Sequence, residues 1–425
     1  MARNMKDSGI EWIGEIPEGW EVSQLKYATR WKSEKGCPDA PVLSLYRDFG
    51  VVPKDSRDDN HNVTSLDTSN YKVVDVGDLV INKMKAWQGS MAVSDYRGIV
   101  SPAYHVCSIT SNKVNKRYLH HLLRNPAYLP EYARLSTGMR IGQWDLGFDD
   151  FKNIPFLIPP LDEQAKIADY LDNGCASLDA TLSKTRSSIE EYKKLKQAVI
   201  TQAVTKGVRG EREMKDSGVA WIGAIPKDWE IKRLKSFCTI VDCKNRTPDV
   251  FPDGKYTVVR TTCIKDCSFS YEGSYQTDTT NFKAWTLKGQ PHKGDIFFTR
   301  EAPVGEACLV PNADNLCMGQ RVMFFRPEDN SDARYIMYSI YGPLVREYIA
   351  SKNSGSTVGH LKLGQVACIP IFYCPPLEQK EIADYLDAKC AEIDRLIAKK
   401  EQLVKELESY KKSLIYEVVT GKREV

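Results

Sequence analysis

Residues 5–21, MKDSGIEWIGEIPEGWE, return as residues 214–230, MKDSGVAWIGAIPKDWE. The copies align without a gap from Met5 to Lys26 and from Met214 to Lys235, and 14 of those 22 positions are identical. Trp12 pairs with Trp221, Pro17 with Pro226 and Trp20 with Trp229. Self-similarity over a long period decides the architecture before any local reading does. The offset is 209, far above the period of any solenoid, so the chain carries a duplicated domain.

A second repeat lies further along each half. IPFLIPPLDEQAKIADYLD (154–172) returns as IPIFYCPPLEQKEIADYLD (369–387), with a one-residue slip at Pro-Pro. From Glu163/Glu378 to Thr205/Thr420 the offset stays at 215. Both segments lack Pro and are rich in Lys, Glu, Leu, Ala and Ile, which are good helix formers. Pro-Pro before them, and Gly207 or Gly421 after, supply start and stop signals. The expected helices are about 43 residues and roughly 60 Å long. Apolar residues alternate at three and four, giving a heptad seam. In the second copy it reads Ile382, Leu386, Lys389, Ile393, Leu396, Lys400, Leu403, Leu407, Tyr410, Leu414. In the first it reads Ile167, Leu171, Gly174, Leu178, Thr181, Thr185, Ser188, Tyr192, Leu195, Val199, with Leu182 and Ile189 one position off. Helices of this length exceed ordinary core helices, and one stripe can bury itself against the other. The expectation is an antiparallel coiled coil.

Two modules remain, about 27–153 and 236–368, which share little sequence but an order of features. VVDVGDLVINK (73–83) matches PHKGDIFFTR (291–300): a Gly-Asp turn, an apolar strand and a basic residue. RYLHHLLRNPAYLPEYARLSTG (117–138) overlays RYIMYSIYGPLVREYIASKNSG (334–355), including Pro126/Pro343, which predicts a helical stretch broken at Pro. Short Val/Ile/Tyr-rich runs elsewhere predict strands. The fold class is α/β: two globular α/β domains joined by two long helices, related by an internal pseudo-twofold repeat. The expected boundaries are 1–153, 154–213, 214–368 and 369–425. The tail VVTGKREV (418–425) corresponds to AVTKGVRGERE (203–213), which leads into Met214, so the C-terminus is expected near the N-terminus.

Composition narrows function by exclusion. The net charge of +3, with 42% hydrophobic and 27% charged residues, is ordinary for a folded chain. It permits nucleic-acid binding without arguing for it. Absence of a signal-peptide pattern and of an 18-residue apolar run points to a cytoplasmic protein, in which the sequons at Asn62 and Asn245 carry no meaning. The twelve cysteines read as reduced, buried thiols rather than a zinc site. His120-His121 tempts a metal reading, but adjacent side chains on a helix point apart. A methyltransferase in its own right would need a Gly-rich cofactor loop after a strand, and no G-x-G-x-x-G occurs. Pro248-Asp249 with Asp253 and Lys255 mimics a nuclease motif at too short a spacing. A bare coiled-coil scaffold would leave the two divergent modules unexplained.

The GWE/DWE opening, the PPL…EQ…IADYLD signature leading each long helix and the two divergent modules closely resemble the specificity subunit of type I restriction–modification systems. The resemblance covers essentially the whole chain. It implies two target-recognition domains, each reading one half of a bipartite double-stranded DNA target, and a helical spacer fixing the gap. It implies docking of two methyltransferase subunits and of restriction/translocase subunits. S-adenosylmethionine, ATP and Mg would belong to those partners, leaving no cofactor, metal or catalytic residue on this chain. Because the modules differ, the half-sites should differ. At 3.4 Å per base pair a rod of roughly 60 Å spans at most about 18 pairs.

Base readout needs Arg, Lys, Gln, Asn, Ser or Thr on loops that can enter a groove, and phosphates favour Lys and Arg. In the first module the candidates are Lys83, Lys85, Gln88, Ser101 and Tyr104, with Trp87 as a wedge or wall, and Arg140 and Gln143. In the second they are Arg260, Thr261, Arg300, Gln320, Arg321, Thr357, His360 and Lys362. The opening motif hardly differs between halves that read different bases. It is therefore expected to be frame, its Trp and Ile residues seating each module at a helix end.

Overall fold

The computed structural model describes residues 3–47, 49–57, 64, 67–138, 144–353 and 359–425. The chain divides into two compact units, Met1–Arg186 with Gln402–Val425, and Ser187–Glu401. The division cuts through both long helices, so each unit owns one stretch of each.

The core of the first unit is a four-stranded sheet of β1 (Thr29–Lys32), β2 (Asp78–Asn82), β3 (Met91–Val93) and β4 (Tyr104–Ile109), in the order β1-β4-β2-β3. All its pairings are antiparallel. Helix α1 (Lys116–Leu123) covers it and buries Tyr118, Leu119, Leu122 and Leu123. Asn115 caps α1 by accepting from the Arg117 and Tyr118 amides. The helical stretch then breaks at Pro126, as Pro requires. The long helix α2 (Leu161–Lys206) follows.

The second unit repeats this plan. β5 (Cys238–Val241), β6 (Ile296–Arg300), β7 (Val304–Leu309) and β8 (Val322–Pro327) form a sheet in the order β5-β8-β6-β7. Helix α3 (Ala333–Ile340) lies where α1 does in the first copy and is capped by Asp332; the chain breaks again before Pro343. The second long helix is α4 (Pro376–Val419). The predicted Gly-Asp turns enter β2 and β6. Gly77 and Gly294 take positive φ there, 90° and 97°, a conformation costly for other residues. The Asp78 and Asp295 carboxylates each accept from an amide three residues back, Asp75 or His292, at 2.9 Å.

The signature leading each long helix has a physical role. Gln164 donates to the Pro159 carbonyl and accepts from the Asn115 amide, tying the helix start to the α1 cap. Gln379 does the same with Cys374 and Asp332. Glu163 receives Arg3 at 2.5 Å and the Trp20 indole N–H at 3.1 Å. Glu378 receives Arg212 at 2.6 Å, and Arg212 stands 209 residues after Arg3. Arg117 reaches Asp169 and Asp172; Arg334 reaches Asp384 and Asp387.

The opening motif is frame. Ile16 and Trp20 are fully buried with Ile167, Leu171, Val418 and Val419; Ile225 and Trp229 are buried with Ile200, Val204, Ile382 and Leu386. Trp12 packs edge-on to Tyr128 at 4.5 Å, whereas its counterpart Trp221 is 63% exposed. The expected closure also holds: Lys422 donates to the Ile13 carbonyl at 3.0 Å, and the Tyr118 hydroxyl to that of Val419 at 3.3 Å.

The long helices run antiparallel within each unit. In the first, Asp179 pairs with Lys411 at 2.6 Å and Arg186 with Glu408 at 2.5 Å. In the second, Lys196 pairs with Asp394 at 2.7 Å, and Lys400 sits over the Tyr192 ring. The seam differs from its predicted phase at every second position. Leu182 and Ile189 are buried in place of Thr181 and Ser188, Lys196 replaces Leu195, which is 48% exposed, and Cys390 replaces Lys389. Leu403 and Tyr410 face solvent while Val404 and Lys411 turn inward. Two heptad phases, four-then-three and three-then-four, share alternate positions, and only burial separates them.

Buried cysteines line both cores. Cys107, Cys238, Cys317 and Cys374 are among them, and burial pushes their thiols up to about 12. Among the described residues no group of three or more His, Cys, Asp or Glu is placed to hold a metal ion. No described helix is long and apolar enough to cross a membrane.

Candidate nucleic-acid interface

The candidate readers gather at one end of each sheet, where a backbone junction recurs. In the second unit the Arg300 amide, at the end of β6, donates to the Arg321 carbonyl just before β8 at 3.1 Å. The Arg300 carbonyl accepts from the Leu361 amide at 3.0 Å. In the first unit the Lys83 amide, just past β2, donates to the Ala103 carbonyl at 3.3 Å, and its carbonyl accepts from the Leu146 amide at 3.0 Å. By these bonds Lys83 corresponds to Arg300, Ala103 to Arg321 and Leu146 to Leu361, with Asp145 and His360 one residue earlier; of Ala103 and Arg321 only Arg321 takes a positive φ, 76°. The hydrogen bonds are common and the side chains differ.

In the first unit Lys85 is exposed, and Gln88 and Ser101 are partly exposed. Three other candidates are engaged within the fold. Lys83 bridges to Asp145 at 3.1 Å. Trp87 packs edge-on to Trp144 at 5.3 Å, closing a wall rather than projecting as a wedge. The Tyr104 ring packs against the apolar cluster of Leu45, Val80 and Val106, and burial raises its hydroxyl above the usual range. Arg140 and Gln143 lie outside the described residues, as does Thr357 of the second unit. Lys72 and Trp31 belong to this end although the sequence did not single them out. Lys72 donates to the Tyr104 carbonyl at 2.5 Å and sits over the Trp31 ring.

In the second unit four strand ends converge. The strand Tyr256–Val259 runs parallel to Leu316–Met318, so Arg260 and Thr261 leave beside Gln320; the Gly319 amide donates to the Val259 carbonyl at 2.8 Å. Arg260, His360 and Lys362 are exposed, and Thr261, Gln320 and Arg321 partly so. Arg300 does not reach solvent as expected. It is 9% exposed, and its guanidinium is held by Asp242 at 3.2 Å and by the Asn245 amide oxygen at 2.8 Å. A buried cation needs such a partner, so Arg300 organises the loop rather than reading through it. The loop it organises, DCKNRT at 242–247, was missed. Asn245 and Arg246 are exposed, the Asn245 carbonyl accepts from Gln320 at 3.2 Å, and Lys244 and Arg246 both stack on Trp285. Two basic residues and an Asn between a strand end and Pro248 were the available signal.

What this surface offers is Arg, Lys, Gln, Asn and His side chains on rigid strand ends. Those are the groups that contact phosphates and base edges.

The model of the type I restriction modification DNA specificity domain matches residues 17–191 and 226–407. The chain belongs to this family. The MjaVIII type I restriction enzyme specificity subunit of Methanocaldococcus jannaschii is 26% identical over 431 residues, covering 96% of this chain and 93% of that one. The fold is shared with a chain solved in a study of complex assembly and conformational transition of the type I R-M system: TM-score 0.69, 16% identity, covering 96% of this chain and 99% of that one. It is shared also with the HsdS subunit of Thermoanaerobacter tengcongensis: TM-score 0.50, 15% identity, 96% and 98% covered. As a type I specificity subunit the protein serves DNA recognition and is not itself an enzyme. Each matched stretch lies mostly within one of the two compact units.

Proposed function

We propose that this specificity subunit reads an asymmetric, bipartite DNA target, one half-site per unit. The observation that carries the reading is the repeated junction: Lys83, Ala103 and Leu146 share the same two backbone hydrogen bonds as Arg300, Arg321 and Leu361. A common scaffold with divergent side chains presents two readers of one geometry and different letters. Helices α2 and α4, of 46 and 44 residues, run through both units and serve as the ruler that sets the gap.

Docking of two identical methyltransferase subunits is supported by a repeated exposed apolar pattern. Val22 and Ile231 are 40% and 39% exposed, Leu161 and Leu377 51% and 66%, Tyr170 and Tyr385 38% and 40%. Each pair occupies equivalent positions of the two repeats, and exposed apolar positions kept in both copies suit a partner that binds twice. Restriction/translocase subunits would join that complex. S-adenosylmethionine, ATP and Mg are assigned to the partners.

The test is the methylation pattern of genomic DNA in cells carrying this chain with its methyltransferase partner. One asymmetric motif, split by a fixed gap, is the expected result. A continuous motif, or methylation without sequence preference, overturns the reading.

A further inference from the structure

We propose that Arg321 reads a guanine in the half-site of the second unit, held in place by Glu301. The proposal rests on the reading above and goes further by naming the residue and the base.

Arg321 stands in the short link between Leu316–Met318 and β8 with φ at 76°, a left-handed conformation uncommon for a long side chain. Such a conformation persists only where neighbours over-determine it, and it is concentrated at functional sites. Here the neighbours are evident. The carbonyl of Arg321 accepts from the Arg300 amide, and its own amide points at the Cys243 thiol. The buried Arg300–Asp242–Asn245 network fixes the floor beneath it.

The side chain is aimed as well. Glu301 Oε2 lies 3.3 Å from Arg321 Nε and 3.3 Å from His360 Nδ1. This contact uses the Nε edge. It is an ion pair without a hydrogen bond at Nε; among the described residues no guanidinium nitrogen of Arg321 is hydrogen-bonded, and 43% of the side chain is exposed. A guanidinium oriented by this ion pair presents two parallel N–H groups that match the O6 and N7 acceptors of guanine in the major groove. The first unit carries Ala103 at the equivalent position, so it lacks this reader and the half-sites differ there.

The experiment compares genomic methylation in cells carrying the methyltransferase partner with the wild-type chain, Arg321→Ala, Arg321→Lys or Glu301→Gln. Arg321→Lys and Glu301→Gln keep the test readable should Arg321→Ala fold poorly at φ 76°. With Arg321→Ala, one G·C position of one half-site should become degenerate, preference for it falling at least about tenfold, while the other half-site keeps its letters. Arg321→Lys should lose the same letter although it keeps the charge, and Glu301→Gln should relax it in part. Three results overturn the proposal: all letters retained in Arg321→Ala, uniform loss across sites that Arg321→Lys restores, or loss of all methylation in every variant. A wild-type motif that is not bipartite would instead sink the reading of two half-sites.

Discussion

The indole N–H of Trp20 donates to the Glu163 carboxylate at 3.1 Å, across 143 residues of chain. That bond closes the frame of the first unit, with Arg3 on the same carboxylate. In the second unit Glu378 has a fully buried side chain and holds Arg212, which is 18% exposed. Removing one partner of a buried pair leaves the other charge uncompensated, costing about 3–5 kcal/mol. At Glu163, whose side chain is 20% exposed, loss of the hydrogen bonds costs about 1–3 kcal/mol. Glu378→Ala should therefore lower the urea midpoint more than Glu163→Ala, as followed by circular dichroism. The reverse order would show that Glu378 does not anchor its unit.

His120 sets a pH dependence. Its ring accepts from the Val93 amide at 3.2 Å and faces the Arg124 guanidinium at 2.8 Å. Burial, then the Arg124 charge, lower its pKa from 6.5 to about 3. A histidine with a depressed folded pKa contributes stability that is complete above about 6.5 and is lost as pH falls toward 3. At pH 4 the loss is about 3 kcal/mol. His120→Gln removes the titrating group, so its stability should vary less between pH 7 and pH 4 than the wild type's. An equal loss of unfolding free energy between pH 7 and pH 4 in both proteins, from denaturant midpoints, would contradict this.

Much of the frame was legible because its signals are local or repeated. Gly77-Asp78 and Gly294-Asp295 announce a turn into a strand, Pro126 and Pro343 break helices, and the 215-residue offset pairs Glu163 with Glu378. What stayed hidden depends on partners far along the chain. Nothing near Arg300 tells that Asp242, 58 residues earlier, neutralises it, or that Lys83 meets Asp145. The Asn245–Arg246 loop was passed over because its value lies in strand ends that converge only on folding. The seam phase was open because the two heptad registers share every second position, and only burial, as of Leu182 and Ile189 rather than Thr181 and Ser188, separates them.

Replacing residues 27–153 with the module of another specificity subunit should change one half-site and leave the other intact. The module's sheet core, with Leu79, Ile81 and Cys107, meets the rest of its unit through frame residues such as Trp20, Leu157 and Leu171, which the exchange leaves in place. Changed letters in both half-sites of the methylated motif would show that the units do not read independently.

The helices make the gap adjustable. Four residues inserted between Ser187 and Ser188 lengthen α2 by about 6 Å at 1.5 Å per residue, close to two base pairs at 3.4 Å each. The insertion falls where one compact unit gives way to the other, away from the Asp179–Lys411 and Lys196–Asp394 pairs. The methylated motif should keep its letters while the gap between half-sites changes. Altered letters with an unchanged gap would show that the helices do not set the spacing.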